Sequence, residues 1–212
     1  MKITKLAHSC LLVEMPAPVN RTVLFDPGEM SLELVRAAKL KYLDDIVVTH
    51  EHSDHFHLPL VQEVVKQFPD VRILAPQPVV AQLKEAGITA SAEPPEGMEL
   101  FESPHELLDP MGETPEAIGV HYLDTLSHPG DSHSFRESRA VLALPITAPW
   151  GATVDAVRLA VELKPRYIIP VHDWMWKDAW REQMYDRLEQ FFAGHGTTFV
   201  KPADGVPFVL EI

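Results

Sequence analysis

Asp45-Ile46-Val47-Val48-Thr49-His50-Glu51-His52-Ser53-Asp54-His55 is the stretch on which the reading of this chain turns. Its first four residues read as a buried strand. The rest places three imidazoles and two carboxylates within six positions. His50 and His52 are two apart, a spacing that on a helix would point them about 200° away from one another. Extended or looped backbone puts positions i and i+2 on one side, so both rings can reach a single metal ion. Asp54 and His55 sit one step further on and can turn toward a second ion. Neutral imidazole suits zinc and similar divalent ions, and a carboxylate supplies the harder oxygen ligand of an open, hydrolytic position. A solvated polar loop would explain one His and one Asp, but not four ligand-type residues together.

The pattern His50-x-His52-x-Asp54-His55 after an apolar strand resembles the signature of the metallo-β-lactamase superfamily. That resemblance implies an α/β fold: a four-layer αββα sandwich of two facing mixed sheets flanked by helices, with a one- or two-metal site at its edge. It also calls for a later His, an Asp and a final His. His105 follows Leu100-Phe101-Glu102-Ser103-Pro104, Asp131 lies in Gly130-Asp131-Ser132, and His172 ends Tyr167-Ile168-Ile169-Pro170-Val171. By resemblance, His50, His52 and His105 would hold one ion, Asp54, His55 and His172 the other, and Asp131 would bridge them. His121 competes with His105, but it alternates with Val120 and Tyr122 and reads more simply as a strand-face residue.

The segments Lys5-Leu6-Ala7-His8-Ser9-Cys10, Leu24-Phe25-Asp26-Pro27-Gly28 and Ser127-His128-Pro129-Gly130-Asp131-Ser132 narrow the resemblance. They are similar to the branch containing L-ascorbate-6-phosphate lactonases and other metal-dependent hydrolases. The implied chemistry is attack by a metal-bound hydroxide on a small ester, lactone or phosphoester. Two divalent ions are expected, zinc first, with manganese or iron as alternatives. Asp54 would orient the nucleophile while binding metal, and His128 would act as an outer proton donor. Asp26 is expected behind the ligands and His8 near the substrate; turn-forming and packing roles are the plainer readings of each. Trp150, Trp174 and Trp176 could wall a pocket or simply pack. His57 and His133 read as solvent-facing loop residues, and Arg136 and Arg139 as an exposed basic pair. Within this fold the alternatives are β-lactam hydrolysis, a phosphodiesterase or nuclease, a diiron redox centre, and a binding protein without catalysis.

Composition sets outer bounds. The chain has 212 residues, 46% of them hydrophobic, enough for a substantial core and consistent with one domain over residues 1–212. A formal net charge of −13 argues against capture of nucleic acid, whose phosphates are met by Lys/Arg surfaces. The single cysteine, Cys10, has no partner for an intrachain disulfide and is expected to be a small packed residue. No run resembles a signal peptide or a membrane span, so a cytoplasmic location and a small-molecule substrate are the default expectations. The oligomeric state is left open.

Element by element, strands are expected at Lys2 to Leu6, Cys10 to Glu14, Thr22 to Asp26, Ile46 to Val48, Val71 to Ala75, Met98 to Phe101, Ile118 to Leu126, Val141 to Leu144, Tyr167 to Val171, Thr198 to Val200 and Val206 to Leu210. Helices are expected from an N-cap at Ser31 through Leu43, then Leu58 to Phe68, Pro78 to Ala86 closed by Gly87, Val154 to Leu163, and Asp178 to Phe192 capped by Gly194.

Overall fold

A computed structural model describes residues 1–109 and 112–212. The chain forms two compact units, Met1–Glu96 with Pro115–Ala117 and Ala203–Ile212, and Gly97–Thr114 with Ile118–Pro202. Each is built on a six-stranded mixed sheet.

In the first unit the strands are β1 (Lys2–Lys5), β2 (Leu11–Glu14), β3 (Thr22–Phe25), β4 (Asp45–Val47), β5 (Arg72–Leu74) and, from the far end of the chain, β12 (Pro207–Val209). Their order is β12-β1-β2-β3-β4-β5. β3, β4 and β5 are parallel, while β12, β1, β2 and β3 pair antiparallel in turn. Helices α1 (Leu32–Ala37), α2 (Leu58–Gln67) and α3 (Gln77–Glu85) cover one sheet face. Leu60, Val61 and Val64 of α2 and Val79 and Leu83 of α3 lie on one stripe of their helices. They close a core with Leu12, Leu24, Ile46 and Ile73 of the strands. Pro59 stands in the first turn of α2, where a missing amide donor costs little.

The second unit carries β6 (Met98–Phe101), β7 (Gly119–Tyr122), β8 (Leu126–His128), β9 (Val141–Pro145), β10 (Tyr167–Val171) and β11 (Thr198–Phe199), in the order β11-β10-β9-β8-β7-β6. Here β8 to β11 are parallel and β6, β7 and β8 alternate. Helices α4 (Thr153–Leu163) and α5 (Asp178–Ala193) pack through Ala156, Leu159, Ala160, Tyr185, Leu188 and Phe192 against Leu142, Leu144 and Ile168.

Two expectations need correction. The first helix stops at Ala37 instead of running to Leu43, and Lys39 takes a left-handed φ of 45°. Ser31 stands at its N-cap, but its hydroxyl donates back to the Gly28 carbonyl at 2.8 Å and makes no bond to the first helical turn. The single strand expected from Ile118 to Leu126 is a hairpin. Leu123 and Asp124, at φ 49° and 50°, reverse the chain through a two-residue turn closed by Thr125 N–H to Tyr122 O at 3.0 Å. Gly194 stands at the C-cap of α5 as expected, in a right-handed conformation, and Gly196 beyond it takes a positive φ of 75°.

Strand direction places the candidate ligands. β1 is antiparallel to β2 and β2 to β3, so β1, β3 and β4 all run the same way. The segments that follow them, bearing His8, Asp26 and the 49–55 loop, therefore leave one edge of the first sheet. The same counting puts the segments after β6, β8, β9 and β10 at one edge of the second sheet. Those segments bear His105, Asp131, Trp150 and His172. Loops at the carboxyl ends of parallel strands are where ligand sites of α/β sheets collect.

Candidate metal centre

In the first unit, Asp26 organises the donors from behind. This carboxylate is fully buried: Oδ1 accepts from the Thr49 amide at 2.8 Å, and Oδ2 from the Thr49 hydroxyl at 2.9 Å. The same Oδ2 lies 2.7 Å from His55 Nδ1. A carboxylate only accepts, so His55 carries its proton on Nδ1 and turns the lone pair of Nε2 outward. Thr49 has spent its proton on Asp26, so at 3.1 Å it accepts from His50 Nδ1, which also leaves His50 with its lone pair on Nε2. That Nε2 lies 3.1 Å from His52 Nδ1. His8, Asp54 and His55 each offer a ligand atom within 4.8 Å of the others, with His8 Nε2 3.0 Å from Asp54 Oδ2.

Gly28 explains how the segment after β3 lies so close to this loop. A Cβ there would stand 1.9 Å from the Asp54 carbonyl oxygen and 2.6 Å from the His55 nitrogen. Flanking hydrogen bonds, Glu29 N–H to Ser53 O at 2.8 Å and His57 N–H to Pro27 O at 3.1 Å, stitch the two segments together. Strain accompanies this crowding. Ala7, His8 and Asp26 have φ values of 70°, 50° and 44°, in the left-handed region that non-glycine residues seldom occupy.

In the second unit, His172 Nδ1 faces the Thr147 carbonyl at 2.8 Å and His105 Nδ1 faces the Glu106 carbonyl at 2.6 Å. Carbonyls accept, so both rings are protonated at Nδ1 and present the lone pair of Nε2. Those Nε2 atoms meet one oxygen, Asp131 Oδ2, at 2.9 Å for His172 and 3.6 Å for His105. A neutral imidazole lone pair and a carboxylate oxygen at that separation repel unless a proton or a metal cation is shared between them. Imidazoles anchored through Nδ1, with Nε2 gathered beside carboxylates, make the donor chemistry of a divalent-metal centre. The residues present fit such ions.

Other sequence candidates take different places. His128 is fully buried at the end of β8, where its Nδ1 accepts from the Gly130 amide at 3.3 Å and so holds the turn that carries Asp131. His121 is buried in β7, 2.9 Å from the Ser127 hydroxyl and stacked on Phe101. Burial, and then the Arg139 charge, hold its pKa below the ordinary histidine value. His133, expected in solvent, is half-buried and donates from Nε2 to the Pro145 carbonyl at 2.8 Å. Arg139 is engaged by Glu99, Asp124 and Glu137. Trp176 packs against the second core, while Trp174 is 52% exposed.

Two contributors escaped the sequence reading. Glu106 accepts from the His133 amide and the Ser134 hydroxyl, at 2.8 and 2.7 Å, besides holding His105 through its carbonyl. Asp173 is buried and accepts from the Tyr185 hydroxyl of α5, anchoring the segment just after His172. Adjacency to a ligand was the available signal in both cases.

Two mixed sheets flanked by helices, with these donors at the strand ends, are consistent with the fold class of the metallo-β-lactamase-type metal-dependent hydrolases. Residues 2–172 match the family described as the beta-lactamase superfamily domain, and the chain belongs to that family. It is 28% identical over 203 residues to Protein Rv0786c of Mycobacterium tuberculosis, covering 90% of this chain and 92% of that one. Among solved structures it resembles Igni18, a metallo hydrolase from Ignicoccus hospitalis, with a TM-score of 0.70, 17% identity and 99% of each chain covered. It also resembles an isothiocyanate hydrolase from Delia radicum gut bacteria, with a TM-score of 0.65, 17% identity and 100% of each chain covered.

Proposed function

We propose that this protein hydrolyses a small-molecule ester, lactone or phosphoester with two divalent ions, zinc first, as in the lactonase-like branch its motifs resemble. The observation that carries the reading is the orientation of the imidazoles: Asp26, Glu106 O and Thr147 O hold the Nδ1 side of His55, His105 and His172, leaving Nε2 lone pairs beside Asp54 and Asp131, while Thr49 turns the His50 lone pair toward His52. When bound, such ions acidify water and polarise the substrate oxygen.

The chain's own residues supply the rest. Asp54, less buried than His55, orients the attacking water and takes its proton, steadied by His8 at 3.0 Å. Because an amide N–H occupies His128 Nδ1, the ring carries its proton on Nε2, from which it can donate a hydrogen bond to the charge that develops on a leaving group. A net charge of −13 disfavours a nucleic-acid partner. Among the described residues no helix is long and apolar enough to cross a membrane. We place the enzyme in the cytoplasm, acting on a dissolved metabolite.

The test is elemental analysis of protein purified without added metal, followed by assays of a lactone, a phosphodiester, a thioester and a β-lactam with zinc and with manganese. The proposal expects about two zinc or manganese ions per chain, and lactone or phosphoester turnover that falls at least ~100-fold in Asp54→Ala. Iron with visible absorption, or turnover unchanged when Asp54 and His55 are both alanine, would overturn it.

A further inference from the structure

The loop between β9 and α4 ties together three imidazoles and one carboxylate of the second unit. Ile146 N–H extends the pairing with β10 to the Val171 carbonyl at 2.9 Å, and the next carbonyl, of Thr147, fixes His172. Ala148 and Gly151 then exchange backbone hydrogen bonds at 3.1 and 3.3 Å, closing a tight turn that carries Trp150. The His133 ring lies against Gly151, where a Cβ would come within 3.0 Å of it. The indole meets His133, His172 and His105 edge-on, at centroid distances of 5.1, 5.5 and 6.2 Å. Its Nε1–H donates to Asp131 Oδ2 at 3.1 Å, the same oxygen that faces the two Nε2 atoms.

We infer that Trp150 is a positioning residue for the metal centre: its indole N–H holds the Asp131 carboxylate in the rotamer that presents it to a metal ion beside His105 and His172. The inference rests on the metal-dependent reading above. An indole N–H can only donate, so it fixes the carboxylate orientation by taking one lone pair of Oδ2 and leaves the other for a cation. It also draws charge from the oxygen it touches, which moderates the repulsion between Oδ2 and the imidazole lone pairs. Three edge-on rings leave the indole little freedom to swing, so the orientation is set before metal arrives. Partners of this kind behind a ligand carry about 10- to 100-fold in metal affinity.

Zinc affinity is measured by chelator competition on metal-free wild type and on Trp150→Phe, which keeps an aromatic ring and deletes the donor. A loss of about tenfold or more is expected. In parallel, the four tryptophans give four indole N–H signals in a nitrogen-15 NMR spectrum, and the one absent from W150F belongs to Trp150. That signal is expected downfield of those of the exposed Trp174 and Trp180, moving with the same midpoint as zinc binding. Where W150F folds poorly, Trp174→Phe, Trp176→Phe and Trp180→Phe assign the same signal by elimination, and the readout stands. W150F binding zinc within twofold of wild type, or an indole signal unmoved through saturation, overturns the role of Trp150 and leaves the hydrolase reading intact. Wild type that binds no zinc, manganese or iron overturns both.

Discussion

Replacing Gly28 by alanine tests how the segment after β3 supports the metal loop. The new Cβ would lie 1.9 Å from the Asp54 carbonyl oxygen and 2.1 Å from its carbon, about 1.1 Å inside the 3.0 Å limit for real Cβ contacts. Both obstacles are backbone, so no side chain can swing aside. The φ of Gly28 is −82°, which alanine tolerates, so the cost is contact and not conformation. Relief requires the 53–57 loop to move back by about an ångström, stretching the bonds from Glu29 to Ser53 and from His57 to Pro27. Overpacking of this severity costs at least about 1 to 3 kcal/mol. At roughly 2–4 °C per kcal/mol for a chain of this size, melting should fall by about 2 to 12 °C. Because Asp54 and His55 move with the loop, hydrolysis should fall by about 100-fold, the scale associated with a 1 Å misplacement. Gly87→Ala is the control. Its φ of 75° strains alanine by about 1 to 2 kcal/mol, yet nothing lies within 4 Å of the new carbon. Scanning calorimetry with zinc titration of both variants distinguishes the two costs. A Gly28→Ala protein that melts within 2 °C of wild type and keeps its zinc affinity would refute the reasoning, whatever its activity.

Asp26→Ala should weaken zinc binding by about 10- to 100-fold, since it releases His55 and Thr49 together; chelator competition checks it, and unchanged affinity would deny the carboxylate its orienting role. His121 should titrate below the ordinary histidine value of about 6.5 in carbon–proton NMR spectra. Its depressed native pKa means the unfolded chain binds the extra proton first. Stability from this residue is therefore present above the unfolded pKa and lost as pH falls from there toward the native pKa, and His121→Phe should flatten that part of the stability profile. Cys10 lies in the first core with its thiol pKa pushed far up by burial, so it should resist Ellman's reagent in the native protein and react at once in denaturant.

Much of the frame could be read directly because strands buried on both faces write themselves as short apolar runs. Tyr167–Val171 is such a strand and begins and ends where the residues suggest. The failures came where tertiary contacts outvoted local pattern. Nothing in Leu123-Asp124 advertises a hairpin, as Asn-Gly would, yet both residues turn left-handed there. The apolar spacing through Leu43 suggested a longer helix, but Leu43 is buried from an irregular segment instead. At the candidate site, spacing brought out His50, His52, Asp54 and His55, and family resemblance supplied His105, Asp131 and His172. The geometry adds what spacing cannot encode: which ring nitrogen is protonated, and which carbonyl or carboxylate decides it. Those partners, Thr147 O, Glu106 O and the Trp150 indole, reach the donors through backbone or through a residue with no ligand chemistry of its own.

The pairing of β12 with β1 bears on how the protein is made. Lys2 lies opposite Val209 and Ile3 opposite Phe208, partners more than two hundred residues apart in the chain. During synthesis β1 to β5 leave the ribosome long before β12 exists. Until then β1 presents an unpaired row of amides and carbonyls, a template for adding any passing strand. The nascent chain must pass through a stage in which its first sheet is nearly assembled but sticky along one side, and slowed translation near residue 200 would prolong that exposure.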